Sequence, residues 1–522
     1  MKNLILKTSS ILIVILLITA SCNGSEPVKK WTRIWGSALD DYGQGVSVDS
    51  SGNSYVAGYT KGEFGGQTNS GSEDAFLTKY NSSGAEQWTR IWGSALGNYG
   101  SGTSVDSSGN IYVTGYTSGA FGGQTNAGGS GIFLVKYNSS GIKQWTRIWG
   151  SALGDYGRGV SVDSAGNCYV TGGTDGGFGG QTNAGLSDIF LTKYNSSGAE
   201  QWTRIWGSVS WDSGNGVSID SAGNCYVAGG TSGAFDNQTN TGSRDAFLTK
   251  YSSSGIKQWT RIWGSDSWSY GSSVSVDSSG NAYVTGYTIG AFDGQTNSGN
   301  GDAFLTKYNS TGAKQWTRIW SSVSVEVGNG VSVDSAGNSY VTGNVGDNDA
   351  TDEDVFLTKY NSSGTKQWIR IWGSTLNDSG RGVSVDPAGN CYVTGYTKGA
   401  FDGQTNAGRA GIFLTRFTVF IPPSETFDSA PDLSNNSGNE SGNNINAVIE
   451  SGESAHADNG GPYHSVWWDW SEPPAALADG ASAEGDTLIV DTSGSDFDTV
   501  LAVYTGPAVN NLTQIAANDN AG

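Results

Sequence analysis

Residues 31–87 read WTRIWGSALDDYGQGVSVDSSGNSYVAGYTKGEFGGQTNSGSEDAFLTKYNSSGAEQ, and at residue 88 the same text begins again. The pentad WTRIW, WIRIW in its last copy, starts at Trp31, Trp88, Trp145, Trp202, Trp259, Trp316 and Trp368. Five of the six intervals are 57 residues and the last is 52, a period that marks a repeat architecture. Within a unit, four short runs are rich in Val, Tyr, Phe, Trp, Ile and Thr, the residues that suit a pleated surface. In the first unit they are 45–48, 54–59, 75–80 and 87–92, here called strands a, b, c and d.

The turns between them are short where Asp49-Ser50-Ser51-Gly52-Asn53 joins a to b and Asn81-Ser82-Ser83-Gly84 joins c to d. Asp and Asn bond their own backbone and Gly supplies a positive φ, so both are tight hairpin turns. Two hairpins per unit give a four-stranded antiparallel sheet, and such sheets repeated head to tail are propeller blades. Strand a recurs seven times, at Val46, Thr103, Val160, Val217, Val274, Val331 and Val383. The chain opens with a d strand, Trp31–Trp35, that has no a, b or c before it. It closes the repeats with an a-b-c set, Val383–Phe417, that has no d after it. Pairing these orphans predicts a closed ring whose seventh blade is built from both ends, whereas an open solenoid calls for polar capping repeats.

The run GVSVDSSGNSYVAGYT and its six relatives resemble the SBBP repeat family, over roughly residues 30–420. Unit seven departs with Pro387, and unit six with Asn344-Val345. The resemblance implies a seven-bladed β-propeller and carries no shared catalytic residues.

Before the repeats, Lys2 and Lys7 precede the apolar run Ile11–Ile18, too short for a membrane-spanning helix and suited to a targeting segment. Thr19-Ala20-Ser21-Cys22 resembles a bacterial lipobox, with Thr19 where Leu is usual. Residues 1–21 therefore read as a lipoprotein signal peptide, Cys22 as the acylated residue carrying palmitate, and 22–29 as a tether. This predicts a lipid-anchored protein of the bacterial cell envelope, at the outer membrane. The other cysteines, Cys168, Cys225 and Cys391, share one strand-b slot in different blades and read as small core fillers, too far apart for disulfides.

After the repeats, residues 421–442 form a polar linker opened by Ile421-Pro422-Pro423. Residues 443–522 carry Val466-Trp467-Trp468-Asp469-Trp470 and Ser495-Asp496-Phe497-Asp498-Thr499-Val500-Leu501-Ala502-Val503-Tyr504-Thr505-Gly506. They resemble the bacterial pre-peptidase C-terminal domain, which implies a partial β-sandwich. The expected fold is thus all-β: a seven-bladed propeller closed by an N-terminal strand, followed by a partial sandwich.

Formal net charge is −20, from 28 basic and 48 acidic residues, which disfavours nucleic acid as a partner. Half of the basic residues fall in two slots, Arg33 and its d-strand equivalents and Lys79 and its c-strand equivalents. Trp31, Arg33 and Trp35 alternate onto one strand face, so the guanidinium is expected between two indoles, packing blade on blade. The long d–a and b–c connections emerge on one face of a propeller, where binding residues concentrate. On the d–a connections Tyr42, Tyr99, Tyr156, Trp211 and Trp268 are candidate ligand-binding residues for a sugar or peptide; the plainer reading is that the tyrosines plug their loops. The b–c motif F-x-x-Q-T-N reads as a structural turn. Unit six replaces it with an acidic stretch in which Asp347, Asp349, Asp352 and Asp354 are candidate calcium ligands, against a solvated loop as the alternative. No cofactor other than calcium is expected.

The two histidines, His456 and His464, lie outside the repeats, so histidine-dependent nucleophilic catalysis has no residues in the propeller. The function that follows is non-enzymatic: a loop face presented to an extracellular protein or glycan, in adhesion or scaffolding. The alternative is a propeller hydrolase that uses paired carboxylates on extracellular polysaccharide or peptide.

Overall fold

A computed structural model of the chain describes residues 4–7, 12–18, 27–297, 300–320, 324–346, 352–418, 465–470, 487–490, 499–505 and 513–519. Cys22, His456, His464, Asp347, Asp349 and the 421–442 linker lie outside them. The chain divides into two units, Lys29–Thr418 and the remaining terminal segments.

The first unit is a seven-bladed β-propeller, each blade a four-stranded antiparallel sheet. Blade 1 holds a (Asp41–Val48), b (Ser54–Thr60), c (Asp74–Tyr80) and d (Glu86–Trp92). Strand a of each blade packs beside strand a of the next, and strand a of blade 7 packs beside that of blade 1. Strand a starts four residues before the run expected from sequence, because Asp41 still pairs with Thr60 across a bulge. Strands b and c are buried nearly throughout, which is why b shows no polar–apolar alternation.

The repeated motif D-S-x-G-N-x-Y is a side-chain-locked hairpin. Asp49 Oδ1 accepts the backbone N–H groups of Ser51 and Asn53 at 3.0 and 2.9 Å. Its Oδ2 accepts Asn53 Nδ2 at 2.8 Å and the Tyr55 hydroxyl at 3.0 Å, while Gly52 takes φ 75°. Tyr55 itself is fully buried, so one carboxylate ties the turn to the core.

Blades are joined by cations of strands c and d. Arg147 Nε donates to Gly198 O of the next blade at 2.7 Å and Nη1 to Thr146 O at 2.8 Å, with its guanidinium 5.4 Å from the Trp145 ring centroid. Lys136 lies over Tyr112 at 5.0 Å and reaches Ser196 O at 3.1 Å. The Arg is faced by one indole rather than two: Trp149 turns away to Tyr194, 5.0 Å between centroids. Cys168, Cys225 and Cys391 are buried free thiols whose pKa burial raises, that of Cys168 to about 12.

In the sheet of Asp378–Val385, Cys391–Thr397 and Gly411–Thr418, the fourth strand is Val28–Trp35. Thr32 Oγ1 lies 3.1 Å from Thr415 Oγ1, the same c–d hydroxyl pair that Thr78 and Thr89 make at 3.0 Å. Thr32 Oγ1 also donates to Asp402 at 2.6 Å, as Thr260 does to Asp236 at 2.7 Å. Between blades 7 and 1, Tyr392 donates to Gly52 O at 3.1 Å and Arg33 Nε to Gly84 O at 2.7 Å.

In the other unit, Leu4–Lys7 pairs with Thr487–Val490. Leu12–Ile18, expected to be a targeting segment, is a strand of the full-length chain between Ser465–Trp470 and Thr499–Thr505, the latter pairing with Thr513–Asp519.

Candidate functional site

Every strand a carries a bulge at the same place. Gly43 pairs with Gly58 and Gly45 with Ala57, which leaves Gln44 with no partner across the ladder. A bulge re-aims the extra residue's side chain, and here the extra residues line a cavity of about 360 Å³ on the ring axis. Going round, they are Gln44, Ser101, Arg158, Asn215, Ser272, Asn329 and Arg381. Glycine flanks the bulge because backbones crowd there. A Cβ on Gly102 would meet Arg158 O at 2.8 Å, and one on Gly382 would meet Val46 N of blade 1 at 3.0 Å. The sequence signal was present as G-x-G or G-x-S in all seven units, yet sequence reasoning did not single out the middle residue.

Seven different blades thus place seven side chains on one axis, and they include two guanidiniums and no carboxylate or histidine. Asn215 and Asn329 are held in place by the neighbouring blade, their Nδ2 atoms donating to Gly271 O and Gly380 O at 2.8 Å. Among the described residues, Arg158 and Arg381 make no hydrogen bond or ion pair, and Arg381 Nε is buried without a partner. Arg381 instead lies 5.4 Å from the Tyr396 ring centroid.

Beside the cavity runs an arc of tyrosines. Tyr396, Tyr42, Tyr59, Tyr99, Tyr116 and Tyr156 follow one another at centroid distances of 5.1, 5.0, 5.0, 4.7 and 5.2 Å. Burial, with the neighbouring hydroxyl Tyr42, raises the pKa of Tyr59, so this phenol stays neutral. The arc stops at Tyr156 because blades 3 and 4 have Gly173, Ser213 and Gly230 in the next slots. In that gap lies Arg244, 4.7 Å from the Tyr270 centroid; a Cβ on Gly230 would come within 2.7 Å of its Nε. That Nε is also buried without a partner, and sequence reasoning missed this residue as well.

The five candidate aromatics separate into two groups. Tyr42, Tyr99 and Tyr156 sit on strand a, half-buried in the arc, and not on loops. Trp211 and Trp268 precede their strands and are 54% and 39% exposed. Both long loop sets do lie together: Lys61 N donates to Asp40 O at 3.0 Å and Asn98 N to Glu73 O at 2.8 Å. The F-x-x-Q-T-N motif is a turn, with Gln67 N donating to Phe64 O at 3.0 Å over Gly65 and Gly66 at positive φ.

Of the four calcium candidates, Asp352 is exposed and Asp354 is the second residue of strand c of blade 6 (Glu353–Tyr360), beside Asp378 of blade 7. Burial raises the Asp354 pKa, and the charges of Asp352 and Asp378 add to it. Among the described residues no three His, Cys, Asp or Glu side chains gather as a metal site. The Asp354 slot belongs to a set of blade-interface positions. Its equivalent Asp188 faces Asp212, while Asp74 faces Asn98, which donates to it at 3.1 Å.

One family model supports the propeller. The SBBP family, a β-propeller repeat, is matched at residues 30–65, 87–122, 144–179, 258–293 and 367–402, so the chain carries SBBP β-propeller repeats. An uncharacterised WD repeat-containing protein, L264, of Acanthamoeba polyphaga mimivirus is 24% identical over 41% of this chain and 14% of its own length. The regulatory protein FlaEY of Caulobacter vibrioides is 26% identical over 29% of this chain and 18% of its own length. The chain therefore spans under a fifth of either relative. Among solved structures, a Xanthomonas campestris gluconolactonase is similar at TM-score 0.35 and 10% identity, over 80% of this chain and 100% of that one. A puromycin hydrolase is similar at TM-score 0.41 and 13% identity, over 69% and 51%.

Proposed function

We propose, for a chain of SBBP repeats folded as seven blades, a non-enzymatic, lipid-anchored protein of the bacterial cell envelope that presents its propeller to an extracellular protein or glycan. The observation that carries this reading is where the blades differ. Slots that join blade to blade repeat: the d-strand Arg is present in all seven copies and the strand-b Tyr55 slot is Tyr in all seven. The seven bulge residues are of four different types, and they meet on one axis. Repetition serves the scaffold; variation concentrated at one cavity serves recognition by residues on a rigid frame. The cavity has polar and cationic side chains and neither carboxylate nor histidine in its lining, which favours binding over carboxylate-dependent hydrolysis.

In this reading residues 1–21 direct export, Cys22 carries the lipid, and 22–29 tether the propeller to the outer membrane. The strand Val28–Trp35, held beside Gly411–Thr418, locks the two ends of the repeat array together so that the ring and its axial cavity persist. Residues 443–522 serve as an accessory module of the pre-peptidase C-terminal type.

The test is a glycan and matrix-protein array probed with the chain, followed by chromatography of whatever binds. Retention of an unaltered ligand is the expected result. No ligand above a denatured control sinks the binding reading, and shortened products would favour the hydrolase.

A further inference from the structure

We propose that the axial cavity binds an acidic saccharide, its carboxylates held by Arg158 and Arg381 and its hydroxyls by the amide and hydroxyl side chains between them. This rests on the binding reading above and names the ligand's chemistry.

Charge gives the first argument. The chain carries −20 overall, yet the cavity lining contains two guanidiniums and no carboxylate. Placing cations alone on the axis of an acidic protein leaves them without counter-charge unless a ligand brings it.

Commitment gives the second. The arginines of strand d are spent on structure: Arg33, Arg90, Arg147, Arg204, Arg261 and Arg318 each donate Nε to a carbonyl of the next blade at 2.7–2.8 Å. Arg158, Arg244 and Arg381 donate no hydrogen bond among the described residues, and two of the three bury an unpartnered Nε. Buried donors without acceptors are costly, and a guanidinium fork matches a carboxylate in two bonds at once. A third guanidinium, Arg244, lies 4.7 Å from the ring centroid of Tyr270, a cavity-lining residue.

The remaining lining chooses among anions. Gln44, Ser101 and Ser272 supply groups that both donate and accept, as sugar hydroxyls require, while Asn329, whose amide N–H bonds go to Gly380 O and Asn344 Oδ1, offers its oxygen as an acceptor. Tyr270 supplies an aromatic wall. The valines of the lining, such as Val160 and Val274, are 8% and 6% exposed and leave no apolar pocket for peptide side chains. A volume of about 360 Å³ is at the small end of ligand cavities, and suits a short saccharide rather than a nucleic-acid strand. Arg158 and Arg381 come from blades 3 and 7, nearly opposite each other across the ring, which fits a ligand that bears more than one acid.

The experiment is calorimetric titration of the full chain with short oligomers of galacturonate, glucuronate and guluronate, with their methyl esters, and with an oligoglutamate peptide. Arg158→Gln and Arg381→Gln are compared singly and together. Neither side chain donates a hydrogen bond to the fold, and each variant's melting temperature, read beside the titration, separates loss of the Arg381–Tyr396 ring contact from loss of binding. At least one acidic oligomer should bind, each substitution should weaken it by about 10-fold or more, and the ester should not bind. Equal binding of the ester, affinity unchanged in the double variant, or failure of all three oligomers overturns the proposal. Arginine-dependent binding of oligoglutamate as tight as any sugar overturns it in favour of an acidic peptide. A ligand found on the array whose binding ignores both arginines leaves the binding reading standing and removes this one.

Discussion

Asn98 Nδ2 donates to the buried Oδ1 of Asp74 at 3.1 Å across the interface of blades 1 and 2. Two interfaces further round, the equivalent residues are Asp212 and Asp188, two carboxylates that both lie against Gly207. Each of these aspartates keeps an Oδ1 that is buried without a partner. Burial pushes the Asp188 pKa up to about 6 from an ordinary 3.8, with the Asp212 charge adding to it and the Ala184 N–H opposing.

The protein's own blade 2 thus supplies a stabilising substitution, Asp212→Asn. A carboxyl whose folded pKa is raised favours the fold when protonated. That contribution is fully present below about pH 4 and is lost as the pH rises through about 6. At pH 7 to 8 the variant should gain on the order of 1–3 kcal/mol, because the introduced amide removes the like charge and gives Asp188 a donor. The gain should shrink towards pH 4. Denaturant unfolding across this range checks it; a loss of stability at pH 8 would contradict the pairing.

Arginines of the two classes should respond differently to lysine. Arg147→Lys keeps the charge but cannot reproduce the fork that reaches Gly198 O and Thr146 O, and should cost about 2 kcal/mol in urea unfolding. Arg158→Lys, with no bond to lose, should fall within about 0.5 kcal/mol of wild type. Equal effects would show that the axial arginine is also structural.

Anchoring is tested by labelling. Palmitate should enter the wild-type chain expressed in a bacterium and should be absent from Cys22→Ser, which should then leave the membrane fraction. Equal labelling of both chains would remove the lipoprotein assignment.

What could be read in advance was what is local or repeated. The turn in which Asp49 bonds its own backbone spans five residues, so spacing alone displays it, while the Tyr55 hydroxyl on the same carboxylate had to be seen in the structure. The inter-blade role of Arg33 was legible because a slot filled seven times suits packing. Gln44 and Arg158 were not legible. G-x-G reads as turn glycine until the ladder shows that the strand continues through it. For the same reason the sequence pattern places Tyr42, Tyr99 and Tyr156 at loop tips, whereas they lie on strand a. The pair Asp188 and Asp212 belongs to different blades, and Arg244 matters only because Gly230 and Ser213 vacate the slots beside it. These are tertiary facts with no period in the sequence.

The first strand of the repeats is read as completing the last blade, and a disulfide tests that most directly. In a chain whose four native cysteines are replaced by serine, cysteines at Thr32 and Thr415 replace hydroxyls that lie 3.1 Å apart. Mild oxidation should give a crosslink within the monomer, visible as a mobility shift and as one joined peptide from the two ends. If no such crosslink forms, and a cysteine at Thr32 joins instead to one placed at Leu77 or Lys79, the ring is not closed by its N-terminal strand.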